Sequence, residues 1–214
     1  GALGVGLPPY LRFLRRLAGL REVFVLELPE IAQCCHSRTL PPDAMADTME
    51  HMLRSHGHQG GACFMAHSYG TCVLSWIVRK CRHIVAQAVF LDPVCFLLAQ
   101  PDVAFNFLYR RPSNFFLSVV ANFVRRELFS ANVLMRHFYW YHNVLWREEL
   151  PENCVVALAG KDDIADGRAL RRYLEAPAFL AARKQLKILW LESFFHGEVL
   201  LSRAAQLQVM ELIL

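Results

Sequence analysis

The sequence predicts an α/β fold built on a doubly wound, mainly parallel sheet. Short apolar runs of strand length alternate with stretches of helical periodicity, and residues that start or stop helices stand between them. Some of these runs are apolar on both faces, as strands covered by helices on either side must be. Residues 8–17 open on Pro8-Pro9, place Leu11, Leu14 and Leu17 along one side and run into Gly19, so a helix is expected there. Residues 22–28 (EVFVLEL) read as a strand. A second helix is expected over 43–56, with Asp43 as its N-cap after Pro41-Pro42, Met45, Met49, Met52 and Leu53 on one face, and Gly57 as the stop. Residues 62–66 (ACFMA) suit a covered strand, 72–80 resume helical spacing, and 84–91 (IVAQAVFL) form the next strand.

From Pro101 to about Leu150 the alternation fails, and Phe, Tyr, Trp and Arg accumulate without a clear strand, which predicts an inserted helical segment. The order then returns: strand 154–159 (CVVALA), a helix over about 167–184, strand 186–191 (LKILWL) and a last helix from about Glu198. The chain thus divides into a core, residues 1–100 and 151–214, and a helical cap, residues 101–150.

A chain of 214 residues buries roughly 70% of the surface its unfolded form exposes, enough for a core without disulfide or metal staples. The net charge of +4 is spread in pairs such as Arg15-Arg16 and Arg171-Arg172, with no basic block to track a phosphate backbone, so nucleic acid is not an expected partner. Seven cysteines, two of them adjacent (Cys34 and Cys35) and none spaced as CxxC, read as mostly reduced thiols inside a cell. Mean hydropathy is high, +0.25, yet no apolar run reaches about 18 residues, the length a membrane-spanning helix requires. His36, His51, His56, His58, His83, His137 and His142 have no paired spacing with carboxylates or cysteines, and neither a metal nor another cofactor is expected.

Between the strand ending at Ala66 and the helix that follows lies Ala66-His67-Ser68-Tyr69-Gly70, a small-x-Ser-x-Gly pentapeptide in a strand–turn–helix context. Small flanking residues let the backbone pass close to strand and helix, and the serine is lifted above the sheet at a helix N-terminus. A plain turn with a capping serine has the same pattern, so the motif alone leaves both readings open. A nucleophilic serine obliges the chain to supply an imidazole base and a carboxylate to orient it, in loops at the same carboxyl edge of the sheet. The strand 154–159 runs into Gly160-Lys161-Asp162-Asp163, and the strand 186–191 runs into Glu192-Ser193-Phe194-Phe195-His196-Gly197. Ser68 precedes Asp162 by 94 residues, and Asp162 precedes His196 by 34. Asp163, and Asp92 after the strand 84–91, are alternative acids, although Asp-Pro at a strand end also makes a turn. His67 reads as a packed residue rather than a base.

On the segments AHSYG, AGKDDI and FFHGE, in that order, the sequence resembles the α/β-hydrolase family, and the likeness extends over nearly the whole chain. The resemblance favours Asp162 over Asp163 as the acid. It also implies that Gly1-Ala2-Leu3-Gly4-Val5-Gly6-Leu7 is the remainder of the family's oxyanion loop, with the family's first strands missing from the chain. The activity it implies is that of a serine hydrolase of the esterase or lipase type, with Ser68, His196 and Asp162 as a triad. The oxyanion would be met by the main-chain N–H of Tyr69 and by Ala2 or Leu3.

The insert carries Phe105, Phe107, Tyr109, Phe115, Phe116, Phe123, Phe129, Phe138, Tyr139, Trp140, Tyr141 and Trp146. These form either the cap's own core and its seat on the sheet or an apolar channel for an acyl chain, with the arginines facing water or anionic head groups. The partner expected is therefore a small apolar, lipid-like ester, reached through peripheral membrane association inside the cell. A hydrolase fold that has lost activity and serves as a binding or assembly module is the alternative.

Overall fold

The computed structural model describes residues 6–32, 39–108, 128–182 and 185–214. Its sheet has four parallel strands in the order of the chain: β1 (Ala62–His67), β2 (Val85–Leu91), β3 (Cys154–Ala159) and β4 (Leu186–Leu191). Every residue of β3 is buried, as befits a central strand without a polar position.

Side chains alternate across the sheet, and the two faces feed separate cores. Ala88, Phe90, Cys154, Val156 and Leu158 pack with helices α2 (Pro42–Ser55) and α3 (Gly70–Lys80) on one side. Val89, Leu91, Val155 and Ala157 pack on the other with Phe13 of α1 (Leu11–Ala18) and with Ala205, Val209 and Met210 of the C-terminal helix Arg203–Ile213. The result is three layers, with all four carboxyl ends of the strands at one rim.

Several boundaries differ from expectation, each for a local reason. Residues 22–28 take no regular secondary structure and join no ladder; with the edge strand β1 they line a cavity instead of pairing with it. Pro41 rather than Asp43 is the N-cap of α2; Asp43 lies in the first turn, where its charge favours the helix N-terminus. The expected helix 167–184 is two, Gly167–Leu174 and Pro177–Ala182, since Pro177 cannot continue a helix but can open one. The first is capped by Asp166, whose carboxylate accepts the N–H groups of Arg168 and Ala169. A single 3₁₀ turn, Glu198–Leu200, precedes the C-terminal helix, which starts anew with Ser202 as its cap. Cys63, Cys72, Cys81, Cys95 and Cys154 are free thiols, and Cys34 and Cys35 lie outside the described residues.

Candidate active site

At the end of β1 the chain reverses into α3, and Ser68 occupies the turn with φ +54°, in the left-handed region where a residue with a Cβ is strained. Neighbouring bonds impose the strain. The Ser68 N–H donates to the Leu91 carbonyl at 3.1 Å, carrying the β1–β2 ladder one residue past the strand. The Ser68 carbonyl accepts the Thr71 hydroxyl at 2.6 Å, and that hydroxyl oxygen accepts the Val94 N–H at 3.1 Å. Tyr69 lies at the N-terminus of α3, where its N–H has no intrahelical acceptor.

The acid loop follows β3. Gly160 approaches the backbone of Glu192 so closely that an added Cβ would overlap its carbonyl. Asp162 then folds its own loop: Oδ1 accepts the N–H groups of Ile164 at 2.8 Å and Ala165 at 3.0 Å. This local turn leaves Oδ2 directed at His196, whose Nδ1 lies 2.7 Å away. With Nδ1–H donated to the carboxylate, Nε2 of the neutral ring is an acceptor, and it stands 2.9 Å from Ser68 Oγ. The His196 and Asp162 side chains are 9% and 4% exposed, so water screens the pair little.

Burial disfavours a charge on His196, but the Asp162 carboxylate, through its field and its hydrogen bond, outweighs this. With smaller contributions from Asp92 and Asp163, the imidazole is pushed up to about 8. Of the three acids the sequence offered, Asp162 therefore makes the bond to the ring, and Asp163 faces it as a nearby charge. The Asp92 carboxylate is turned to backbone instead, accepting the N–H of Ala159 at 3.1 Å and of Gly197 at 2.8 Å. Its burial pushes the carboxyl up to about 6.

His67 is buried beneath the turn, with Nδ1 2.8 Å from the hydroxyl of Tyr10. Desolvation, with the His196 charge adding to it, holds its pKa well below the usual histidine value, which leaves it a neutral packed ring. Sequence reasoning passed over Tyr10, and no spacing in the sequence signals its bond to His67. Ala2 and Leu3 lie outside the described residues, as do Tyr109, Phe115, Phe116 and Phe123. Within the described part of the insert, the Phe138 ring lies 6.1 Å from that of Tyr69, whereas Phe105, Tyr139, Trp140, Tyr141 and Trp146 are exposed.

A cavity of about 510 Å³ is lined by residues of the edge strand β1 and of segment 22–28. Its lining is mostly apolar, with Val25, Met49, Phe64 and Met65 among the residues, and it includes His67. Among the described residues no three His, Cys, Asp or Glu side chains are grouped to hold a metal ion, and no helix is long and apolar enough to cross a membrane.

No family model matches the chain, and no curated protein matches it either. Solved structures do. A 2-hydroxy-6-oxo-6-phenylhexa-2,4-dienoate hydrolase from a Rhodococcus species is 16% identical, with a TM-score of 0.65 over 100% of this chain and 87% of its own. A bacterial membrane phospholipase A, described as a virulence factor, is 13% identical, with a TM-score of 0.68 over 99% and 76%. A thermophilic esterase from Thermogutta terrifontis is 14% identical, with a TM-score of 0.63 over 98% and 85%. The parallel sheet with helices on both faces, joined to likenesses that span the whole chain, identifies the architecture as the α/β-hydrolase fold.

Proposed function

We propose that the protein is a serine hydrolase that cleaves a carboxylic ester with an apolar, lipid-like acyl group. One observation carries this reading: the row Ser68 Oγ, His196 Nε2, His196 Nδ1 and Asp162 Oδ2, with separations of 2.9 Å and 2.7 Å at its two hydrogen bonds. Ser68 Oγ attacks the ester carbonyl while its proton passes to His196 Nε2, and Asp162 keeps the imidazole in the tautomer that can receive it. The tetrahedral oxyanion is met by the Tyr69 N–H at the start of α3 and by a second donor assigned to Ala2 or Leu3. His196 then returns the proton to the departing alkoxide, and water, activated by the same nitrogen, releases the acid.

Residues 101–150 would cover this site as a cap, and the choice of a lipid-like substrate rests on their aromatic content. The names carried by two structural neighbours, an esterase and a phospholipase, support the same class. Such a substrate would be reached by peripheral association with membranes inside the cell. A series of p-nitrophenyl esters from acetate to palmitate tests the proposal. Turnover that rises with acyl length and vanishes in Ser68→Ala is expected. Turnover undiminished in that variant overturns it.

The exposed run Tyr139, Trp140 and Tyr141, with Trp146 nearby in sequence, favours a second reading, a hydrolase-fold module that binds a partner through this surface. No turnover of any ester by well-folded wild-type protein would decide for it.

A further inference from the structure

Asp92 is a buried carboxylate to which the proposed reaction gives no role, and its contacts join the end of β3 to the base loop beside His67 of β1. It follows β2 with φ +43°, a left-handed conformation that costs energy for a residue with a Cβ. Its N–H donates to the Ala157 carbonyl at 3.0 Å, one step beyond the bond from Ser68 N–H to the Leu91 carbonyl. Oδ1 accepts the N–H of Ala159, the last residue of β3 and three before Asp162. Oδ2 accepts the N–H of Gly197, the residue after His196, at 2.8 Å. Gly197 has φ +80°, so the base loop turns over at the residue Asp92 holds. The side of this knot is closed by His67, whose Nε2 lies 4.0 Å from Asp92 Oδ2 and has no hydrogen-bond partner among the described residues. Its ring is 5.4 Å from that of His196 and would lie 3.4 Å from a Cβ added at Gly197.

We propose that Asp92 is a positioning residue, which fixes the direction of the His196 imidazole by holding the Gly197 amide while anchoring the acid strand through Ala159. This rests on the reading of His196 as the base. The carboxylate also stands behind the imidazolium that forms when Ser68 gives up its proton, so position and charge act together. The groups facing Asp92 are His67 from β1, His196 from the base loop and Asp162 from the acid loop. Those facing His196 are Asp162, Asp92, Asp163 and His67.

Nuclear magnetic resonance of the whole chain tests this without requiring activity. In the wild type, the amide signals of Ala159 and Gly197 should move together on acidification with one midpoint near the Asp92 value, about 6. In Asp92→Asn, the titration midpoint of the His196 ring should move to lower pH. The rate at which Ser68 reacts with a fluorophosphonate should fall about 10- to 100-fold, the scale expected when a reacting group is displaced by a fraction of its length. A His196 midpoint and a labelling rate both unchanged in that variant overturn the proposal. So do Ala159 and Gly197 amides that share no transition in the wild type, a test that stands even if the variant fails to fold. Loss of Ser68 labelling in the wild type, with the shared transition and the shifted His196 midpoint intact, would instead defeat the reading of the site as a hydrolase.

Discussion

The rate at which a fluorophosphonate labels Ser68 between pH 6 and pH 9 reads the protonation of His196. A general base acts only when unprotonated, and the Asp162 carboxylate, against the opposing effect of burial, pushes this imidazole up to about 8. The neutral fraction is then about 3% at pH 6.5 and one half at pH 8, so labelling should rise about 16-fold across that interval and level off near pH 9. Asp162→Asn removes the largest influence holding the proton on the ring. It also offers an amide in place of a carboxylate, which favours the wrong tautomer. The midpoint should drop below that of the wild type, and the rate at pH 8 should fall about 10³- to 10⁴-fold. The same pairing has a signature in stability. A histidine whose folded pKa is raised contributes stability that is fully present below its unfolded value and is lost as pH rises through the folded one. Here the loss runs from about 6.5 to above 8 and amounts to about 2 kcal/mol. A labelling rate that is flat from pH 6.5 to 8.5, or a midpoint that Asp162→Asn leaves in place, would refute this assignment of base and acid.

Further tests address the frame around the site. Asp92 has its folded pKa raised by burial from 3.8 to about 6, so its ionised form is disfavoured in the fold and stability falls as pH rises through about 6. Asp92→Asn should therefore gain about 1.4 kcal/mol more at pH 8 than at pH 5, an increment of about 3–6 °C in Tm by calorimetry, whatever its absolute effect. Gly160→Ala drives a Cβ into the Glu192 backbone and should lower stability by about 3 kcal/mol or more, read as a reduced denaturant midpoint. Tyr10→Phe leaves the buried Nδ1 of His67 without its hydroxyl, at about 1–3 kcal/mol by the same measurement. Phe90→Ala, in a fully buried β2 position, should cost about 3–5 kcal/mol.

CVVALA was legible because burial on both faces leaves only apolar residues to choose from, and LKILWL, half-buried at the sheet's edge with Lys187 exposed, was legible from its short apolar run; both end where the sheet ends them. Residues 22–28 have the same look, yet a ladder needs a neighbour, and composition says nothing about whether one is beside them. The expectation of one helix across 167–184 passes over Pro177, which ends the first helix and opens a second in the fold. The site divides in the same way. Ser68, Asp162 and His196 could be placed because each follows a recognisable strand at the same rim. The choice between Asp162 and Asp163 could not be made from spacing, since it depends on which carboxylate caps Ile164 and Ala165 and so faces the ring. Asp92 looked like a turn because its partners are backbone N–H groups from loops distant in sequence, and an N–H leaves no trace in residue identity. His67 owes its neutrality to burial, and its Nδ1 partner Tyr10, 57 residues away in the chain, is a neighbour only through the packing of the folded protein.

The most direct measurement is peptide mass spectrometry of the folded wild-type protein after reaction with a fluorophosphonate. A single adduct on the peptide containing Ser68, absent when His196 is replaced by Gln, is the predicted result. An adduct on any other side chain, or an unmodified Ser68 in protein shown to be folded, would contradict the claim that these three loops assemble a nucleophile.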